Sequence, residues 1–106
     1  MLGRLLSLFP LARYRVAGES MAPSVSPEER VVVNKTAYRS AQPRAGDLVV
    51  VRDPRRPERL LLKRIEGPAD DGGWLVLGDN PDASSDSRAF GPVARDQIVG
   101  KVWFRY

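Results

Sequence analysis

The chain has 106 residues, with 17 Lys and Arg against 13 Asp and Glu, a formal net charge of +4. That length suits one domain with a modest core. It has no Cys and no His, which excludes disulfides, thiolate and imidazole metal sites, the Ser-His-Asp triad and the Cys-His dyad. Any hydrolytic chemistry then needs Ser or Thr with Lys, or a carboxylate pair, and no metal or other cofactor is expected.

Residues 1–12 form a short apolar segment, well below the ~20 residues that a membrane span needs. Leu2, Leu5, Leu6 and Phe9 follow helical spacing, and Pro10 stops it. The segment reads as a short helix packed on the domain or a frayed end, with a weak membrane-surface anchor as the other reading. No Ala-x-Ala site follows it, so a cleavable secretory signal is not expected. Residues 13–106 then read as one domain of strands and turns. The extended stretches are 13–16, the Val-rich 30–35 and 47–52, 60–65, 74–77 and 98–104. Residues 52–59, rich in Arg and broken by Pro54 and Pro57, read as an exposed hairpin loop, and 92–97 as one helical turn. The fold class expected is all-β, a single small β-barrel or folded sheet.

Three places can carry chemistry. Ser20 lies in Gly18-Glu19-Ser20-Met21-Ala22-Pro23, where Gly18 would allow another backbone to approach closely and Pro23 stiffens the exit; the plain alternative is a turn serine. Lys63 shares a strand face with Leu61 and Ile65, while Arg64 lies opposite with Leu60 and Leu62. An ammonium between aliphatics loses hydration, its pKa falls, and a neutral amine can accept a proton; the alternative is a lysine reaching water at a sheet edge. The polar run from Gly78-Asp79-Asn80 through Ser84, Asp86 and Arg88 to Gly91-Pro92-Val93 could hold the amine and brace itself by an Asp–Arg pair, or be an ordinary Asp/Asn/Ser turn region.

In this order the three segments resemble the signal peptidase I family. Ser20-Met21-x-Pro23 resembles its nucleophile box, Lys63-Arg64-Ile65-x-Gly67 its general-base box, and Gly78-Asp79-Asn80 through Ser84, Asp86-Ser87-Arg88 and Gly91-Pro92-Val93 its last signature. The resemblance covers residues 18 to about 102. It implies that Ser20 is the nucleophile, Lys63 the general base and Ser84 the lysine-orienting hydroxyl, with Asp79, Asn80, Asp86 and Arg88 supporting the loop. Gly18, Ser20 and Met21 would line the substrate approach, the Ser20 N–H holding the oxyanion. Some members carry a serine at the place of Gly18, so one oxyanion donor is absent or replaced by water. The substrate would pair as an extended strand beside the site.

Family members typically add membrane spans and often a second β domain, whereas only 21 positions separate Lys63 from Ser84 here. The short form is similar to the maturation proteases of nickel-type superoxide dismutase, which implies a dismutase precursor with an N-terminal leader as partner. On that reading the protein is cytoplasmic, or peripheral at a membrane. Two alternatives are general signal-peptide or leader processing, and an inactive leader-binding module. Nucleic acid is not expected as a partner, because the aromatics are dispersed along the chain.

Overall fold

A computed structural model describes residues 10–106. Six strands follow in order: β1 (Leu11–Arg15), β2 (Arg30–Asn34), β3 (Leu48–Asp53), β4 (Arg56–Pro68), β5 (Trp74–Leu77) and β6 (Ile98–Arg105). They form one antiparallel sheet in the order β1-β2-β6-β3-β4-β5. Among the described residues no ladder joins β1 to β5, so the sheet has two edges and is not closed into a barrel. The helical content is small: two 3-10 turns (Pro81–Ala83 and Arg95–Gln97) and one short helix, α1 (Ser87–Phe90). Among the described residues no helix is long and apolar enough to cross a membrane. The helical spacing read in residues 1–9 lies outside the described residues.

Strand alternation builds two cores, one on each face. Val50 joins Ala12, Tyr14, Met21, Val25, Val31, Val33 and Leu62 in the first. Its neighbours Val49 and Val51 join Tyr38, Ile65, Val76, Val93 and Ile98 in the second. Fully burying each such side chain is worth ~1.5–3 kcal/mol against exposure. A β-branched run buried on both faces explains why β3 is central.

The differences from the sequence reading have local causes. β1 starts at Leu11, because Ala12 is already in the core. The exposed loop expected over 52–59 shrinks to a turn at Pro54 and Arg55, and β4 begins at Arg56. Pro57 is tolerated because the ladder jumps from Asp53↔Arg56 to Arg52↔Leu60. It sits in that bulge, where no ladder donor is needed. At the other end, a bulge between Val32 and Val33 leaves Trp103 without a register partner. Trp103, Phe104 and Tyr106 are therefore grouped and exposed, with ring centroids 5.2 and 6.1 Å apart, rather than dispersed.

One property of β4 positions the site. β4 pairs with β3 up to Arg64, but its pairing with β5 begins only at Arg64. Over residues 60–63 its outer edge therefore has no strand neighbour among the described residues.

Candidate active site

Ser20 sits in a tight turn after β1, half-buried. The Ala22 N–H donates to the Glu19 carbonyl at 3.1 Å and the Val25 N–H to the Met21 carbonyl at 2.9 Å. Met21 is buried in the first core and anchors the turn. The loop after β5 locks it from outside. The Asn80 N–H donates to the Ser20 carbonyl at 2.8 Å, the Asn80 amide to the Glu19 carbonyl at 3.1 Å, and the Asp79 N–H to Met21 Sδ at 3.4 Å. The Ser20 N–H itself has no acceptor among the described residues. Gly18 differs from expectation. Nothing lies within 4 Å of where its Cβ would be, so no backbone approaches closely; the glycine is required by its φ of +84°, a region that costs other residues ~1–2 kcal/mol.

Lys63 is 2% exposed. It lies opposite Val49 across the β3–β4 ladder, on the face of the second core. Burial is the main force lowering its pKa from 10.5; Asp86 opposes that, Arg59 and Arg88 add to it, and Asp53 opposes it. Its Nζ donates to Ser84 Oγ at 3.0 Å, and Ser84 Oγ donates to Asp86 Oδ2 at 3.0 Å. Asp86 is 1% exposed. Burial alone would favour its neutral form, but Arg88 Nη2 at 2.6 Å and Nε at 3.0 Å, the Gly78 N–H at 2.9 Å and the Arg88 N–H at 3.1 Å outweigh it. Its pKa falls well below the usual carboxylate range.

The direction of these bonds matters chemically. A permanently ionised Asp86 can only accept, so it claims the Ser84 proton. Ser84 must then accept from Lys63 rather than donate to it. A neutral Lys63 therefore spends an N–H on Ser84 and keeps its lone pair free. Gly78 makes this possible sterically. A Cβ there would stand 2.0 Å from Ser84 Oγ and 2.8 Å from the Ser20 carbonyl oxygen. Both contacts are far inside van der Waals distance.

Ser20 and Lys63 line one cleft of about 200 Å³. Its walls are residues 16–20 on one side, the free edge of β4 at 59–63 on the other, and Ala83 and Ser85 at the end. The apolar Leu60, Leu61 and Leu62 sit in the same wall as Lys63. Such a shape suits an extended peptide with small side chains.

The family described as signal peptidase, peptidase S26 matches residues 1–71 and 68–106 of the chain, which together are its whole length. The chain belongs to that family. It is a serine-type endopeptidase by class. Among relatives of this S26 peptidase, signal peptidase IB of Staphylococcus aureus (strain COL) is 28% identical over 152 aligned positions. The alignment covers 92% of this chain and 78% of the relative. Mitochondrial inner membrane protease subunit 2 of Danio rerio is 31% identical, over 83% of this chain and 60% of the relative. The first alignment is longer than this chain, so the relative carries insertions that this S26 peptidase lacks.

The fold brings every site residue expected from sequence to this cleft or to the loop behind it. Ser20 and Lys63 line the cleft, with Gly18 beside them. Met21, Asp79 and Asn80 fix the turn, and Ser84, Asp86 and Arg88 form the chain of hydrogen bonds behind Lys63. Asp79 works through a residue that the sequence reading left without a role. Arg64 holds it with two bonds of 3.0 and 2.9 Å and also reaches the Gly46 carbonyl at 2.9 Å. The place of Arg64 beside Lys63 in the general-base box is the signal that could have singled it out. Gly78 was likewise read only as part of a motif.

Proposed function

We propose that this S26 peptidase removes N-terminal leader peptides from precursor proteins, with the sheet domain from β1 onward as its catalytic domain, Ser20 as nucleophile and Lys63 as general base. Ser20 Oγ bonds to the scissile carbonyl carbon while its proton passes to neutral Lys63. The oxyanion takes the free Ser20 N–H. Gly18 offers no side-chain donor, so the second bond is absent or comes from water. The C–N bond then breaks, and Lys63 returns the proton to the leaving amine. Water deacylates Ser20 by the same relay, and Ser20 regains its proton. The leader lies extended along the free edge of β4. The observation that carries this reading is that the buried Lys63 and Ser20 open into one cleft, with Ser84 held so that the lysine lone pair is left free.

Names of the relatives, signal peptidase IB and mitochondrial inner membrane protease subunit 2, favour leader removal in general. The nickel-type superoxide dismutase precursor is the narrower substrate. It rests on the resemblance of the short form alone, and it goes with a cytoplasmic enzyme that touches membranes peripherally at most. The test is mass spectrometry of both precursor types incubated with the protein or its Ser20→Ala variant. Ser20-dependent loss of one defined leader from a signal-peptide precursor supports the general reading; loss from the dismutase precursor alone supports the narrower one. Tight binding of leader without cleavage of either would make the chain a leader-binding module.

A further inference from the structure

Asp53 is 1% exposed, a buried carboxylate like Asp86 but 30 residues and more away in sequence. The turn at Pro54 and Arg55 folds Arg55 back onto it. The Arg55 N–H and Nε donate to Asp53 Oδ1 at 2.9 and 3.1 Å, and Nη2 donates to Oδ2 at 3.1 Å. The same Nη2 donates to Ser85 Oγ at 2.8 Å. The guanidinium also lies 5.1 Å over the Phe90 ring. Ser85 directly follows Ser84, and Phe90 ends α1, which starts directly after Asp86. Arg55 thus touches the catalytic loop at Ser85, within the segment that holds Lys63, and at Phe90, just beyond it.

A half-exposed arginine on its own carboxylate usually contributes little. Here the carboxylate is buried and would be left unpaired without it. The planar guanidinium spends two donors on Asp53 and still has one aimed at Ser85, so it is pre-organised rather than mobile. A lysine at this position could not reproduce the fork. The hydrogen bonds from Arg88 and Gly78 hold Asp86 from the inside; Arg55 holds the same segment from the side of the β3–β4 hairpin.

We propose that Arg55, fixed by the buried Asp53, is a positioning residue that clamps the Ser84–Asp86 segment and so keeps Lys63 aimed at Ser20. This rests on the protease reading. A misplacement of about 1 Å at Ser84 is the kind of shift that proximity effects amplify into rate.

The test compares Arg55→Ala, Arg55→Lys, Ser85→Ala and the double variant Arg55→Ala/Ser85→Ala, in steady-state cleavage of a leader-bearing precursor across pH. Arg56→Ala, whose partner is the exposed Glu58, is the neighbouring control. Arg55→Ala should lower kcat about tenfold with KM changed less than about twofold. Its acid limb should move to higher pH, because an unpaired Asp53 favours protonated Lys63. Arg55→Lys should recover only part of kcat. Ser85→Ala removes the contact without touching Asp53 and should lower kcat by a smaller factor, and the double variant should be no worse than Arg55→Ala alone. Full kcat and an unmoved pH profile in Arg55→Ala, with Ser20→Ala inactive, would overturn the clamp and leave the protease reading standing. Strict additivity of Arg55→Ala and Ser85→Ala with an unmoved acid limb would also overturn it, since the loss would then be general destabilisation. Full activity in Ser20→Ala would instead sink the protease reading and the clamp with it.

Discussion

The case for Lys63 as the base comes from where it is placed. Its strand-face neighbours Leu61 and Ile65, and Val49 opposite, take away its hydration. The pKa falls from 10.5 chiefly by burial, so activity should rise as pH climbs through that lowered value and reach its plateau below the ordinary lysine range. A kcat/KM profile measured with the precursor checks this; a rise that began only near pH 10 would mean an unperturbed lysine. Ser84→Ala leaves Lys63 without its acceptor and should cost roughly tenfold in kcat, less than the factor of about 10²–10⁴ carried by a group that itself transfers the proton. Gly78→Ala should cost at least as much. Its new methyl must displace Ser84 Oγ from 2.0 Å, and overpacking of that kind destabilises by ~1–3 kcal/mol. Thermal unfolding beside kcat separates the two effects, because Ser84→Ala should change stability less than Gly78→Ala does.

At the level of elements, β4 shows both what can be read from sequence and what cannot. Its second half was legible, because period-two alternation put Lys63 on an apolar face. Its first half was not, because Pro57 and the Arg cluster suggest a loop unless the bulge that absorbs them is known. The Val-rich β2 and β3 could be read directly, since β-branched runs leave few alternatives. The contacts that set the site are of another kind. Met21 to Asp79, Arg64 to Asp79 and Arg55 to Ser85 join residues 58, 15 and 30 positions apart. Nothing local in a chain with many Arg and Asp says which pairs with which. The unpaired edge of β4 is also invisible until the register with β5 is known, and it sets the next expectation. A leader peptide bound as an added strand should lose affinity when one backbone N–H before the cut is methylated. A loss in kcat/KM of about fivefold to tenfold corresponds to one main-chain hydrogen bond. An unchanged kcat/KM at every methylated position would show that the leader does not pair with β4.

For the molecule as a whole, the site's charges make stability rise with pH in two separate windows. Asp53 has its pKa lowered chiefly by the Arg55 bonds and Asp79 chiefly by the Arg64 bonds, while Asp86 is lowered by Arg88 and the Gly78 N–H against the effect of burial. A carboxylate with a lowered folded-state pKa contributes stability that is present above the ordinary value of 3.8 and is lost as pH falls through the folded value. Acid should therefore unfold the protein by protonating these groups. Lys63 acts in the same direction at higher pH. Between its lowered folded pKa and 10.5 the unfolded chain binds the extra proton, so stability rises with pH across that window. Tyr38, raised chiefly by burial and then by its bond to Asp47, adds stability that is lost only as pH rises past its ordinary value of 10.0. Urea unfolding from neutral pH to just below the ordinary tyrosine value of 10.0 thus isolates the lysine. Lys63→Met should flatten the rise over that range, leave the acid limb in place and abolish cleavage. Near neutral pH it should also stabilise the fold, by about 1 to 2 kcal/mol, because a buried amine gives way to an apolar side chain of similar length. A Lys63→Met protein that kept the alkaline rise would place that titration on another group and remove the case for a desolvated lysine as the base.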